Sequence, residues 1–174
     1  MKSHILFFTL IVIRIIFPPI IFDRIHPLYA MIIDEVVLDG IIAPHHLFKN
    51  YVPDIYNHVK YKKRYFDIPL DFWGFLNGLQ PVLNTNNKFY SVFEGYRSLI
   101  ITLFIWRMIG IILVYKLNSM SILKYFPNFY LPVYLSLSFC NMFKIQNIKR
   151  ITSIMIVIFY IRELYLININ PIIS

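Results

Sequence analysis

The sequence predicts an all-α integral membrane protein with about six transmembrane helices in one bundle. Three observations predict this fold: hydrophobic residues make up 58% of the 174 residues, charged residues make up only 15%, and apolar stretches recur along the whole chain. Soluble domains carry roughly 45–50% apolar and about 25% charged residues. The composition therefore excludes a water-soluble globule, a disordered chain, a collagen-like repeat and a disulfide scaffold.

Six segments of the chain are candidate membrane spans, because a helix needs about 20 predominantly apolar residues to cross the hydrocarbon core. They are residues 5–22, 27–44, 67–83, 98–117, 126–143 and 151–169. The first contains Arg14 but lacks a small-residue cleavage site, so we interpret it as a retained span and not as a signal peptide. The second and third carry acidic residues, the fifth begins with prolines, and the fourth and sixth qualify by length alone.

The net charge of +8 arises from 17 Lys and Arg residues against 9 Asp and Glu residues. The longest polar interval, the basic loop of residues 45–66, contains Lys49, Lys60, Lys62, Lys63 and Arg64. Loops rich in Lys and Arg stay inside, so we expect this loop to be cytoplasmic and the protein to lie in a cell inner membrane or an organelle membrane. Juxtamembrane cations contact anionic headgroups. The expected partner is therefore the lipid bilayer and not nucleic acid.

Five of the 9 acidic residues form two clusters that flank the basic loop: Asp34, Glu35 and Asp39 before it, and Asp67 and Asp71 after it. A charge inside the hydrocarbon costs about 2.5–3.5 kcal/mol, so intramembrane acids indicate a function. Asp67 and Asp71 are four residues apart and share a helical face, as do Glu35 and Asp39. Asp34 and Asp39 diverge by roughly 140° on a regular helix.

Two interpretations of these acidic clusters remain open. Convergent carboxylates without accompanying Cys or His residues suit a hard cation, which predicts a site for Mg²⁺ or Mn²⁺. Alternatively, the acids cap helix N-termini, or they pair with Lys63 and Arg64 at the level of the headgroups.

Two short stretches resemble the motif of the CDP-alcohol phosphatidyltransferases, which are membrane enzymes with the pattern D-x-x-D-G-x-x-A-R followed by D-x-x-x-D. Asp39-Gly40-Ile41-Ile42-Ala43 is similar to the D-G-x-x-A part, and Asp67-Ile68-Pro69-Leu70-Asp71 is similar to the second block. Pro44 stands at the position of the motif arginine, and Val36 stands at that of the first aspartate. Asp34 or Glu35 would replace this aspartate through a helix irregularity.

The resemblance implies transfer of a phosphatidyl group from CDP-diacylglycerol to a small alcohol. The implied ligands of the Mg²⁺ or Mn²⁺ are Asp34 or Glu35, together with Asp39, Asp67 and Asp71. Asp71 would also act as the general base that takes the proton of the alcohol.

The same resemblance assigns the nucleotide to the first motif block. Gly40 and Ala43 would contact the cytidine nucleotide, and the missing Cβ of Gly40 would allow a close approach of the backbone. A lipid-linked CDP compound is the implied substrate.

Two other functions are compatible with the sequence. The chain could be a non-catalytic membrane subunit of a larger complex, with interfacial acids and aromatic helices that pack against partner subunits; a homodimer is also open. It could instead be a transporter in which Arg107 and the acids line a path. Because Arg107 lies about midway through segment 98–117, we expect it to face a cavity or an acid in another helix.

Overall fold

The structure is a computed structural model that describes residues 2–41, 63–117 and 119–169. Within these ranges the chain is helical and contains no strand, as the predicted all-α class requires. The chain divides into two compact units, Met1–Lys88 and Phe89–Ser174. The expectation of a single bundle stays a prediction.

In its described part, the first unit consists of two long helices, two short helices and a π-helix. These are α1 (Lys2–Arg24), α2 (Pro27–Ile32), the π-helix (Ile33–Ile41), α3 (Lys63–Gly78) and α4 (Gln80–Leu83). α1 packs against α3. The buried apolar side chains of this unit include Phe22, Ala30, Met31, Leu38, Phe75, Leu79 and Val82. The unit is therefore held by apolar contacts among its helices.

Prolines set two helix boundaries in the first unit. Pro27 lies in the first turn of α2, where an N–H group would have no acceptor within the helix. Pro81 is the second residue of α4, and it cannot donate to the carbonyl of Asn77, so the hydrogen bonds of α3 do not continue unbroken into α4. Predicted segment 67–83 is accordingly found in two helices, and the described part of segment 27–44 is α2 followed by the π-helix.

The turn after α4 is tied to the C-terminal end of α1. Asn87 Nδ2 donates to the carbonyl of Phe22 at 3.4 Å, and Lys88 Nζ donates to the carbonyl of Arg24 at 2.6 Å. Carbonyl groups at a helix C-terminus lack intrahelical donors, and a cation there is favourable. These two bonds stabilise the end of α1.

The second unit consists, where described, of three longer helices and two short 3₁₀ segments. They are 3₁₀ segment Tyr90–Phe93, α5 (Arg97–Leu117), 3₁₀ segment Met120–Lys124, α6 (Tyr130–Met142) and α7 (Ile148–Ile169). α6 packs against α7, and α5 packs against α6. The core is aromatic: the rings of Phe93 and Tyr134 lie 4.6 Å apart, and those of Tyr130 and Tyr134 lie 5.6 Å apart. Predicted segments 98–117, 126–143 and 151–169 correspond to α5, α6 and α7.

Among the described residues, one helix is long and apolar enough to cross a membrane by length and composition. It is α5, whose 18-residue stretch Arg97–Val114 has 22% of its residues buried inside the structure. At about 1.5 Å per residue, α5 extends about 30 Å, which is the thickness of the hydrocarbon core. All six predicted spans stay predictions.

Candidate functional site

The first acidic cluster lies on the π-helix. Asp34 and Glu35 are in its first turn, and the backbone of Asp39 and Gly40 continues it. Hydrogen bonds in a π-helix run between residues five apart, so such residues are near neighbours along its axis. The backbone positions of Asp34 and Asp39 thus lie much closer together than the roughly 140° divergence of a regular helix would place them. The π-helix is a helix irregularity between Asp34 and Asp39, the motif resemblance stays a prediction, and Ala43 lies outside the described residues.

Asp34 is buried against α3 at a glycine. Its residue exposure is 9%, and a Cβ atom placed on Gly74 would overlap its carboxylate. A side chain at position 74 would therefore displace the carboxylate of Asp34. The absence of a side chain allows the π-helix and α3 to approach closely at this point.

Gly74 lies on the helix that carries the second acidic cluster. Position 67 precedes Gly74 by seven residues of α3, so the two positions differ by about 20° around the helix axis. Position 71 precedes Gly74 by three residues and differs from it by about 60°. The backbone positions of Asp67 and Asp71 therefore fall on the same side of α3 as the glycine that Asp34 contacts. The side chains of Asp39, Asp67 and Asp71 lie outside the described part of the structure.

Arg14 of α1 is buried in the same unit, with 5% of its surface exposed. Together with Asp34 it is one of two buried charged side chains among those that the structure describes. The next residue, Ile15, accepts a hydrogen bond through its carbonyl from Trp73 Nε1 at 2.8 Å, and Trp73 precedes Gly74 on α3. Arg14 and Asp34 thus belong to helices that contact adjacent positions of α3.

Two prolines explain why α1 presents this carbonyl. α1 continues through Pro18 and Pro19, which have no N–H group. The carbonyl of Ile15 therefore lacks the intrahelical donor that residue 19 would normally supply. The indole of Trp73 supplies a donor in its place, and this bond fixes the contact between α1 and α3 next to Gly74.

Only part of the predicted ligand set has a described side chain. Asp34 offers carboxylate oxygens, the ligand type that Mg²⁺ and Mn²⁺ prefer, and Gly74 leaves the space in which they lie. Among the side chains that the structure describes, no group of three His, Cys, Asp or Glu residues could hold a metal. Among the predicted ligands whose side chains are described, Asp34 is the one that lies against α3. Glu35, beside it in the sequence, is half-buried.

The second unit contains a charged network that links α5 to α7. Arg107 Nη1 donates to Glu163 Oε1 at 2.7 Å and to the carbonyl of Phe126 at 2.8 Å. The other carboxylate oxygen, Glu163 Oε2, accepts a bond from the N–H of Asn128 at 2.7 Å. Charge-assisted bonds of this length are roughly twice as strong as neutral ones. The expectation that Arg107 faces an acid in another helix is confirmed.

The turn between the second 3₁₀ segment and α6 is held in this network on both sides. Asn128 Oδ1 accepts a bond from the N–H of Leu131 at 3.2 Å, in the first turn of α6. A Cβ atom on Gly110 of α5 would overlap Phe126, so the glycine allows the turn to lie directly on α5. The network therefore connects α5, this turn and α7, and it neutralises both of its charges internally.

Sequence reasoning missed two features of these sites. It places Arg14 in segment 5–22 without predicting that Arg14 is buried. It expects Arg107 to face an acid in another helix without naming Glu163 as that acid. The signal for both was available: a charge near the middle of an apolar segment has to be compensated within the fold.

Comparison with known proteins adds no relative. No protein-family model, no curated protein and no solved structure matches the chain. The resemblance to the CDP-alcohol phosphatidyltransferases therefore depends on the motif residues alone and stays a prediction.

Proposed function

We propose that the chain is an integral membrane protein whose apolar helices cross a bilayer. α5 supports this proposal, because it has the length and composition of a span. α7 supports it as well: Ile154, Val157, Ile158 and Ile161 each expose more than half of their surface. These positions follow the spacing of one helical face. A continuous apolar stripe of this kind is unfavourable in water and favourable against lipid.

The proposed location keeps the sequence-based topology. The basic loop of residues 45–66 faces the cytoplasm, and the membrane is a cell inner membrane or an organelle membrane. Loop and spans together would place both acidic clusters near one membrane face, because the loop closes between the helices that carry them.

We further propose that the first unit is a divalent-metal-dependent phosphotransferase, similar to the CDP-alcohol phosphatidyltransferases. One observation carries this proposal: buried Asp34 lies on an irregular helix, against Gly74 of the helix that carries Asp67 and Asp71. Two acidic clusters that are 28 residues or more apart in sequence thereby belong to helices that approach each other at Asp34 and Gly74.

The proposed roles follow from residue type and position. Asp34 or Glu35, with Asp39, Asp67 and Asp71, would hold Mg²⁺ or Mn²⁺, which supplies charge stabilisation to the diphosphate of the substrate. Asp71 takes the proton of the acceptor alcohol as the alcohol oxygen attacks the β-phosphorus and CMP leaves. Gly40 and Ala43 contact the nucleotide.

Arg14 completes the proposed site. The motif arginine is replaced by Pro44, so the family's guanidinium is missing from its usual place. Arg14 is buried in the same unit, on a helix fixed to α3 next to Gly74. Its guanidinium would bind the diphosphate and offset part of the negative charge of the acids.

The test is CMP release from CDP-diacylglycerol with Mg²⁺ or Mn²⁺ over a panel of small alcohols. The full chain in lipid vesicles is compared with Asp71→Asn, and Asp23→Asn is the matched control because Asp23 is an exposed acid of the same unit. We expect release by the unmodified chain and by the control, and a loss of at least a hundredfold for Asp71→Asn. Equal release by all three, or none by any with every alcohol, contradicts the proposal.

The second candidate is a non-catalytic membrane subunit, and one observation favours it. Both carboxylate oxygens of Glu163 are hydrogen-bonded by protein groups, as expected of a structural element. The same bonds argue against a transport path lined by Arg107. Co-purification of a stoichiometric partner from the native membrane, together with absent CMP release, would favour the subunit over the enzyme.

A further inference from the structure

The second unit contains an apolar pocket with a cation at its margin. The pocket has a volume of about 470 Å³ and lies among α5, the second 3₁₀ segment, the turn after it and α7. Its lining is largely aromatic and includes Trp106, Tyr125, Phe129 and Tyr160. Lys124 is the one charged residue in this lining. The volume falls in the range of about 300–1,000 Å³ that is typical of ligand sites.

Lys124 is available to a ligand. It ends its 3₁₀ segment, its side chain is exposed, and it has no ion pair in the part of the chain that the structure describes. No acidic residue lines the pocket. The lining is therefore positive at one point and mostly apolar elsewhere, with neutral hydroxyl-bearing residues at Thr102, Tyr125 and Tyr160.

We propose that this pocket binds a phospholipid with an anionic headgroup. An acyl chain of the lipid lies against the aromatic lining, and its phosphate lies at Lys124. This inference depends on the proposed membrane location and not on the proposed phosphotransfer. Hydrocarbon matches a surface made of rings and Leu103, whereas a nucleotide or sugar would leave most of its polar groups without partners. Lys and Tyr residues favour the headgroup level of a bilayer, where such a phosphate would lie.

The chain supplies its own reporter for this pocket. Trp73 and Trp106 are its two tryptophans, and Trp106 lines the pocket. In a Trp73→Phe background, brominated acyl chains that enter the pocket quench the fluorescence of Trp106 by contact. The full chain is reconstituted into phosphatidylcholine vesicles in which a fixed fraction of either phosphatidylcholine or phosphatidylglycerol is brominated.

We expect brominated phosphatidylglycerol to occupy the pocket about fivefold more readily than brominated phosphatidylcholine at equal mole fraction. Lys124→Gln should abolish this preference. Lys116→Gln is the matched control, because Lys116 is also exposed but does not line the pocket, and it should keep the preference. Millimolar inorganic phosphate should leave the quenching unchanged, because the acyl chain supplies most of the contact.

Several results would overturn the inference. Equal quenching by both brominated lipids means that Trp106 meets only bulk lipid. If the preference for phosphatidylglycerol survives in Lys124→Gln, another cation is responsible for that preference. If inorganic phosphate abolishes the preference, the site binds a free anion. If the chain is extracted from vesicles by alkaline carbonate, the membrane proposal fails and this inference fails with it. Non-selective quenching of a stably inserted chain contradicts the pocket alone.

Discussion

Residues 1–88 contain seven of the 9 acidic residues, whereas residues 89–174 contain two, Glu94 and Glu163. In the second unit the carboxylate of Glu163 is bound on both oxygens by the fold itself, between regular helices. In the first unit Asp34 lies on a π-helix, against Gly74 of α3. The second unit thus holds its carboxylate between regular helices, and the first holds Asp34 on an irregular one.

We propose that this difference separates a structural charge from a functional one. Both oxygens of the Glu163 carboxylate accept hydrogen bonds from protein groups. A buried carboxylate held by an irregular helix, beside a helix with two further acids, is placed where ligands are commonly bound. Variants of each unit, measured for stability and for metal binding, distinguish these two roles.

Glu163→Ala should have the largest effect on stability. Its removal leaves the guanidinium of Arg107 mostly buried and the N–H of Asn128 without its acceptor. Breaking a buried pair in this way costs about 3–5 kcal/mol. The free energy of unfolding in mixed micelles measures the loss.

Glu94→Ala is the matched control, because Glu94 is the other acid of the unit and is exposed. It should change the free energy of unfolding by less than about 0.5 kcal/mol. A double variant, Arg107→Leu with Glu163→Leu, should recover much of the loss, since it leaves no uncompensated charge. Similar losses for Glu163→Ala and Glu94→Ala would remove the structural role assigned to the network.

Divalent metal should stabilise the first unit's proposed site. With Mn²⁺ at about a hundred times its dissociation constant, linkage predicts a gain of about 2.7 kcal/mol for the unmodified chain. Asp34→Asn should lose this gain, because an amide is a much weaker metal ligand than a carboxylate. Asp23→Asn should keep it. The measurement is the shift of the thermal unfolding midpoint with and without Mn²⁺, and a shift that survives in Asp34→Asn would exclude Asp34 as a ligand.

Two glycines allow the same substitution to be compared in both units. In Gly110→Ala the new methyl group meets Phe126 near its backbone, which cannot move freely, so we expect a loss of about 1–3 kcal/mol. In Gly74→Ala it meets the outer end of the Asp34 side chain, which can rotate away. The gain in helix propensity, up to about 1 kcal/mol, then offsets much of the cost.

The two variants should therefore separate stability from function. Gly110→Ala should lower the free energy of unfolding and keep metal-dependent stabilisation. Gly74→Ala should change the free energy of unfolding little but lose the stabilisation by Mn²⁺, because the carboxylate of Asp34 is displaced. If Gly110→Ala lost the stabilisation by Mn²⁺ and Gly74→Ala lowered the free energy of unfolding, the roles proposed for the two units would be reversed.

The helices could be read from the sequence because apolar length and proline position determine them. Segment 98–117 is found as α5 to within one residue, and Pro81 contributes to the division of segment 67–83. The π-helix could not be read, because periodicity arguments assume 3.6 residues per turn and no residue type announces a change.

The partners of buried charges were also only half predictable. The position of Arg107 within an apolar segment required an acid, but the choice of Glu163 depends on how α7 packs on the turn before α6. The burial of Arg14 depends on the contact of α1 with α3, which is fixed by a tryptophan 58 residues further along the chain. Such contacts are set by tertiary packing, which a single sequence does not encode in any local pattern.

Trp73→Phe should have the smallest effect, because it removes one hydrogen bond. The loss of the indole N–H leaves the carbonyl of Ile15 without this donor, and we expect a cost of about 0.5–1.5 kcal/mol in the free energy of unfolding. Trp106→Phe is the matched control, because the indole N–H of Trp106 makes no hydrogen bond in the described structure, and it should cost less.

The reason for this bond can be tested in a double-mutant cycle. Pro19→Ala restores an N–H group that can donate to the carbonyl of Ile15 within α1. In that background the carbonyl no longer needs the indole, so Trp73→Phe should cost about 0.5 kcal/mol less than it does alone. Additive costs would show that the bond follows from the packing of α1 on α3 and not from the proline, and the contact next to Gly74 would then have a different origin.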